Sequence, residues 1–534
     1  MSEHHEPPAD DLLIGGPDAR PKGRGRAYLA GGALAVLAVG GGAAAWAALS
    51  FFGTGAQPAE ALPASTLGYV SVDLDPSGAQ KIEALKLARK FPAFKSEVGL
   101  DSDDDLRQWI VEEFAKDSGC DLDFEADVEP WLGSRAAMAA VDGEDGPFPV
   151  FVLQTTDADR AEKGLAAFAE CGGEEAGWRI EGDWIVLAET EAQADAAVAA
   201  TDEGTLTDDA DFRKWTERVG DSGLLTAYAA PEVGGLLADA AVADLGDVAQ
   251  GPAALPGCEA ASTAYEEELR AKLTAFDGAA ATVKFNDGGV ELQATADSGI
   301  QTAAGLGSLA SADIDNRAVT GLPADTAFAF GVGLPEGWAT ALEENLAALC
   351  GEGVDPESFG DELAEGLGFD VFGELPQVLG RSVVVALGAD IDVEALMNSS
   401  DPTGLPLAIR TTGDKAAVDR VVASLASSFG VPQDLVTVRE GEDGVAVSLD
   451  ATYAEQVAAG GELGKDEVFR DLVPNAADAS FVSYLNLDRL QPAIEQLAGG
   501  DQEAVENLAP LQGVGLSSWN EDDELHVLLR VSVD

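Results

Sequence analysis

Strings of residues recur along this chain, in the same order, at a spacing near 256. LPASTLGYVSVDLDP (Leu62–Pro76) is answered by LPADTAFAFGVGLPE (Leu322–Glu336), 260 residues later. EPWLGSRAAMAAV (Glu129–Val141) faces LPQVLGRSVVVAL (Leu375–Leu387). PFPVFVLQTTDADRAEKGLAAFAE (Pro147–Glu170) faces GLPLAIRTTGDKAAVDRVVASLAS (Gly404–Ser427). GDWIVLAE (Gly182–Glu189) aligns with DGVAVSLD (Asp443–Asp450). DFRKWTERVGDSGLLTAYA (Asp211–Ala229) aligns with EVFRDLVPNAADASFVSYL (Glu467–Leu485), which sets Tyr228 256 residues before Tyr484. Each series ends in a hairpin-like stretch, Thr282–Asp297 and Leu516–Asp534. Collinear self-similarity of this kind indicates one structural unit written twice. Copy one is expected over residues 62–320 and copy two over residues 321–534.

Within each copy, short runs such as YVSVDL alternate apolar and polar residues, the period of half-buried strands. Asn286–Gly289 (NDGG) carries a hairpin signal. Stretches such as DADRAEKGLAAFAE open on an aspartate cap and bring acidic residues into the first helical turn. The expected class is α+β: an N-terminal transmembrane helix, then a duplicated ectodomain, each copy a mainly antiparallel sheet with helices packed on one face. The copies are expected to meet about a pseudo-two-fold axis with room for a groove between them.

No charged residue lies between Arg26 and Glu60. As a helix, the 26 residues Ala27–Phe52 would extend roughly 39 Å, enough to cross a hydrocarbon core of about 30 Å with tilt. Arg20, Lys22, Arg24 and Arg26 crowd its first flank, and no basic residue follows until Lys81. The positive-inside rule then places residues 1–26 as a disordered cytoplasmic tail, and residues 53–534 outside the cell. A cleaved signal peptide is the rival reading, with Ala59-Glu60-Ala61 as a small-residue site, but its apolar core would be unusually long. Residues 53–61 read as a flexible tether.

Net charge is −65, from 31 Lys and Arg against 96 Asp and Glu. It is spread evenly: residues 53–320 carry 18 basic and 52 acidic side chains, residues 321–534 carry 9 and 39. Such a surface argues against nucleic acid as a partner. One patch departs from it. Lys81, Lys86, Arg89, Lys90 and Lys95 share an amphipathic helical stretch with Ile82, Leu85 and Phe91 facing the core. This basic face suits anionic lipid headgroups or an anionic wall polymer, or else pairs with neighbouring carboxylates. The four cysteines, Cys120, Cys171, Cys258 and Cys350, would all be external, where disulfides form. Cys120–Cys171 and Cys258–Cys350 are the favoured pairs of three connectivities; buried free thiols are the other reading.

Catalytic signatures fail on inspection. Gly220–Gly223 (GDSG) resembles a serine-protease nucleophile turn, but no histidine lies between His5 and His526 to serve Ser222 as base. Asp73–Gly78 (DLDPSG) opens like a calcium loop, yet its twelfth position is Ala84 instead of a bidentate glutamate. Gly305–Ala310 (GLGSLA) lacks a feeding strand for a dinucleotide turn. No cofactor or metal is implied, and no catalytic residue is assigned.

The strings LPASTLGYVSVDLDPSGAQKIEALKLARKFP and EADVEPWLGSRAAMAAVD, behind a basic-flanked apolar run, resemble an actinobacterial family of membrane-anchored proteins known as a domain of unknown function. The resemblance spans nearly all of residues 20–534, with the PWLG turn (Pro130–Gly133) its most distinctive piece. It implies an envelope protein and brings no activity. Trp131 is expected to plug the start of a strand; copy two has Val378 or Leu379 there. The functional expectation is a non-catalytic, single-pass envelope protein whose ectodomain binds a lipid, a glycolipid or an envelope protein. A carboxylate-dependent extracellular hydrolase, Ca-assisted or not, and a structural spacer are the alternatives.

Overall fold

The computed structural model describes residues 57–73, 86–87, 89–92, 107–108, 123–172, 177–220, 223–248, 263–286, 288–299, 316–350, 360–361, 364, 368–394, 405–498 and 501–534. They build one sheet. In the first half its strands are β1 (Thr66–Asp73), β2 (Leu132–Val141), β3 (Phe148–Thr155), β4 (Gly177–Glu181), β5 (Trp184–Ala188), β6 (Leu225–Ala229), β7 (Ala279–Asn286) and β8 (Gly289–Asp297). In the second they are β9 (Thr326–Gly333), β10 (Ser382–Gly388), β11 (Leu407–Thr411), β12 (Thr437–Gly441), β13 (Gly444–Ser448), β14 (Phe481–Asn486), β15 (Leu511–Glu521) and β16 (Glu524–Val533). Spatial order in the first half is β4-β5-β3-β2-β1-β6-β7-β8. In the second it is β12-β13-β11-β10-β9-β14-β15-β16, the same path with eight added to each number. Every neighbouring pair runs antiparallel.

The halves meet along a hydrogen-bonded seam, β8 against β16, which makes sixteen strands continuous. Ala280 stands opposite Tyr228 and Thr295, as Gly515 stands opposite Tyr484 and Arg530. Thr295 and Arg530 are therefore equivalent, 235 positions apart. The seam pairs Arg530 with Glu291 and His526 with Thr295, and 526 is 235 beyond 291. The two pairs exchange under that offset, and the pair Gln293–Leu528 lies midway between them on the seam. Ion pairs brace it: Arg530 Nε to Glu291 Oε2 at 2.7 Å and Arg218 Nε to Glu524 Oε1 at 2.6 Å.

Alternate residues of a strand face opposite sides. One side of the sheet is closed in both halves. Tyr69, Val150, Val186 and Tyr228 pack under the helices Glu191–Ala200 and Ala210–Arg218. Ala386, Ala408, Val482 and Tyr484 pack under Ala451–Ala459 and Glu467–Leu472. The expectation of helices on one face does not hold at the outer strands. Ile185, with Leu153 and Leu187, packs on the other side against the helix Ala158–Gly172, and Val445, with Val447, against Lys415–Ser428. The reason is visible in WIVLA and in the Val445–Val447 run of GVAVS, which are apolar at successive positions and so require cover on both sides.

Local devices recur at equivalent places. Thr66 Oγ1 donates to Pro63 O at 2.7 Å, and Thr326 Oγ1 to Pro323 O at 2.8 Å. Asp209 caps one helix through Phe212 N, and Asp466 caps the other through Phe469 N. The two caps stand 257 apart, one more than the aligned strings allow. Likewise Ile185 and Val445, which face the same side, are 260 apart where the strings gave 261. A one-residue slip would exchange the two faces of a strand, so side-facing corrects the strand register and the caps correct the helix register, while Tyr228 and Tyr484 stay 256 apart.

The packed region also starts earlier than expected. Pro58–Ala61, placed in the tether, forms a 3₁₀ turn with Ala59 buried. Its counterpart Arg317–Thr320, assigned to copy one, buries Ala318 and Val319 in the second core. Residues 1–56, including Ala27–Phe52, lie outside the described residues. Among those described, no helix is long and apolar enough to cross a membrane.

Backbone geometry is demanding at two turns. Gly278 has φ +116°, and a Cβ there would meet Trp215 Nε1 at 2.3 Å. The β15–β16 turn holds both Asp522 and Asp523 at positive φ, where Asn-Gly is preferred. Replacing them with Asn-Gly is expected to raise stability by up to about 1 kcal/mol, read as a shift in thermal midpoint. An unchanged or lower midpoint would count against the turn geometry.

Candidate functional site

The second side of the sheet is apolar but incompletely covered. In the first half Val70, Met138, Phe151, Leu187 and Trp178 form a cross-strand row. In the second the equivalent row is Phe330, Val385, Ile409, Val447 and Val438. The outer two members of each row pack toward the helices Ala158–Gly172 and Lys415–Ser428. The inner three are less covered: Phe151 is 47% exposed, Ile409 44% and Phe330 38%, with Leu407 beside them at 40%. On the closed side, their neighbours Val150, Val152 and Ala408 are at 0–1%. The contrast does not follow polarity, since the closed side also buries Arg135 and Arg410. The apolar surface thus lies within each half, away from the seam where a groove was expected.

The basic segment borders this same side. Leu87 and Phe91 are buried against Val283, Phe285 and Val533, with Val72 and Leu225 beside them. Val72 is two residues from Val70 on one strand, so both point to one side. Phe91 therefore meets the core as expected. Lys86 and Arg89 are exposed, and Lys90 Nζ donates to Val533 O at 3.4 Å. Lys81, Lys95, Ile82 and Leu85 lie outside the described residues.

Trp131 is a plug: it is 6% exposed, its Nε1 donates to Asp127 O at 2.6 Å, and it fills the cluster of Phe124, Ala161 and Ile185. Val378 holds the matching place in the second half. Cys120 and Cys258 lie outside the described residues. Cys171 and Cys350 fall near the ends of the helices Ala158–Gly172 and Trp338–Cys350, and their side chains are likewise outside the description. Ser222, Ala84 and the Gly305–Ala310 turn are also outside it.

For carboxylate chemistry, Asp297 stands out. Partial burial holds its carboxyl above the usual range, the negative charge of Asp277 adds to this, and the N–H of Gly299 opposes it. Asp277 is itself paired with Lys214. A raised folded value means that stability from this group is present at acid pH and lost as pH rises through it. Asp297→Asn should therefore stabilise the chain at pH 7, by less than about 1 kcal/mol given its exposure, with no gain at pH 3; the reverse pattern in urea titrations would refute this. Among the described residues, no group of three or more His, Cys, Asp or Glu side chains is placed to hold a metal ion.

Sequence reading missed Phe151 and Ile409. The available signal was the absence of polar alternation in FPVFVL around Phe151 and in LPLAI up to Ile409, runs that are apolar on both sides of the strand.

Residues 29–179 match the family model described as Protein of unknown function (DUF3352). The match begins ahead of the first half, ends within it and includes the PWLG turn, and it is shorter than the resemblance read from the strings. No curated protein and no solved structure matches the chain.

Proposed function

We propose that this chain is a non-catalytic binding protein of the cell envelope, anchored by Ala27–Phe52 with residues 53–534 outside, and built by internal duplication. The ligand is an amphiphile, a lipid or glycolipid, whose acyl chain lies on the open apolar rows. The observation that carries this reading is the exposure of Phe151 and Ile409 at equivalent places, since exposed contiguous apolar surface marks binding sites. Exposed Lys86 and Arg89 near the first row suit an anionic headgroup. In the second half the helix that follows β9, Trp338–Cys350, bears Glu343 and Glu344 instead, so the first half is the one suited to anionic ligands. The duplication is supported by the identical strand order of the halves and their shared caps.

Native mass spectrometry of the chain purified from its own host should show a retained lipid. Titration with the fluorescent fatty acid cis-parinaric acid should give saturable binding. Phe151→Arg is expected to weaken it tenfold or more, about 1.4 kcal/mol, with a smaller effect from Ile409→Arg. A chain that carries no lipid and binds the probe no better than these variants would end the proposal.

A further inference from the structure

β4 and β12 end the sheet. Each therefore presents a row of unpaired backbone groups to any other strand, including that of a second copy. Both strands enter two-residue hairpins, with Glu181 opposite Trp184 and Gly441 opposite Gly444. In such a hairpin the residues flanking the turn form the hydrogen-bonded pair, and bonding alternates along the strand. Trp178 and Val438 are thus non-bonded positions, with their carbonyls directed outward from the sheet.

Ile180 and Glu440 are outward positions too, but on each strand it is the carbonyl farther from the hairpin, Trp178 O or Val438 O, that is occupied by the next side chain. Arg179 Nη1 donates to Trp178 O at 2.7 Å, and Arg439 Nη1 donates to Val438 O at 3.3 Å. The remaining guanidinium donors are held by the covering helix. Arg179 Nη2 reaches Asp195 Oδ2 at 2.7 Å and Glu191 Oε1 at 2.8 Å, with Nε also on Asp195. Arg439 Nε and Nη2 both reach Glu455 Oε1 at 3.2 Å. Arg179 and Arg439 are 260 apart, as are Asp195 and Glu455, the spacing of the side-facing register. The halves differ at most core positions yet keep this clasp. Fixed ion pairs at an exposed position add little to stability, so its retention calls for another role.

We infer that Arg179 and Arg439 close the two ends of the sheet against strand addition by a second copy of this chain. The guanidinium takes the acceptor that an incoming strand would need and leaves a charge where that strand's backbone would lie. The inference is independent of any ligand on the apolar side.

The two ends make the test specific. An open β4 can pair only with another open β4, a closed two-fold dimer; opening both ends permits unlimited addition. In sedimentation of the full chain, with wild type as the reference mass, Arg179→Ala should double the mass with rising concentration. The double variant R179A/R439A should form species of four copies and above that grow with concentration. Far-UV circular dichroism reports whether the fold is kept. Should the double variant fail to fold, R179K/R439K carries the test, because it keeps charge and stem but lacks the second donor arm. Variants that fold and stay at the wild-type mass overturn the inference, as does a single variant that polymerises as far as the double.

Discussion

Truncating Phe469 to alanine is expected to destabilise the chain by about 3–5 kcal/mol, seen as a lower urea midpoint. Phe469 is 1% exposed and meets Tyr484 edge to face, with centroids 4.9 Å apart. Its helix starts at the Asp466 cap, and Asp466 Oδ2 also accepts from Arg489 Nη2 at 2.6 Å. Arg489 Nη1 and Asn486 Nδ2 both donate to the Tyr484 hydroxyl, at 3.2 and 3.0 Å. The ring is therefore the apolar centre of a small network, and its removal leaves a cavity that these bonds prevent from collapsing. Phe212 makes the equivalent contact with Tyr228 at 5.1 Å but is only partly buried. Phe212→Ala should cost about half as much, since less transfer energy is lost. Equal losses at the two positions, or a loss below about 1 kcal/mol at Phe469, would contradict the packing described.

The second large effect concerns Arg410. It is 3% exposed in the second core, where the first half has Val152 at the equivalent place. Nη1 donates to Gly321 O at 2.9 Å and to Ala318 O at 3.4 Å, while Nε has no hydrogen-bond partner among the described residues. Burial pushes the guanidinium below its ordinary pKa, against the opposing charge of Asp443. Arg410→Ala should cost about 3 kcal/mol, mainly from the volume lost in a closed core, since Gly321 O keeps the N–H of Gly461 at 2.8 Å. Arg410→Met keeps most of the volume and removes the buried charge, so it should cost about 1 kcal/mol or less, as apolar replacements of buried ions often do. The same urea titrations measure both. A methionine variant as unstable as the alanine one would show that the charge, and not its packing, holds the turn at Gly321.

Much of the local structure was legible in the residues. The alternation in YVSVDL, the turn in NDGG and the aspartate caps each depend on contacts within a few positions. The site was less so. Lys86 and Arg89 were singled out from a charge cluster against an acidic background, and both are exposed. Phe151, Ile409, Arg179 and Arg439 were not, because each is an ordinary strand residue in isolation. The aligned strings began at Gly182 and Asp443, three and four residues past the two arginines, and so passed over the clasp.

Residue order alone therefore determined the strand and helix periods, the even acidity, and the repetition near 256 residues, since these are properties of neighbours or of composition. Only the tertiary structure decided that the halves join through β8 and β16, which side of an all-apolar strand stays open, and what guards the outer edges. A strand that is apolar on both sides looks the same whether one side or two are covered. Which side is closed depends on helices that arrive from elsewhere in the chain, and on backbone pairing that side-chain sequence does not encode locally.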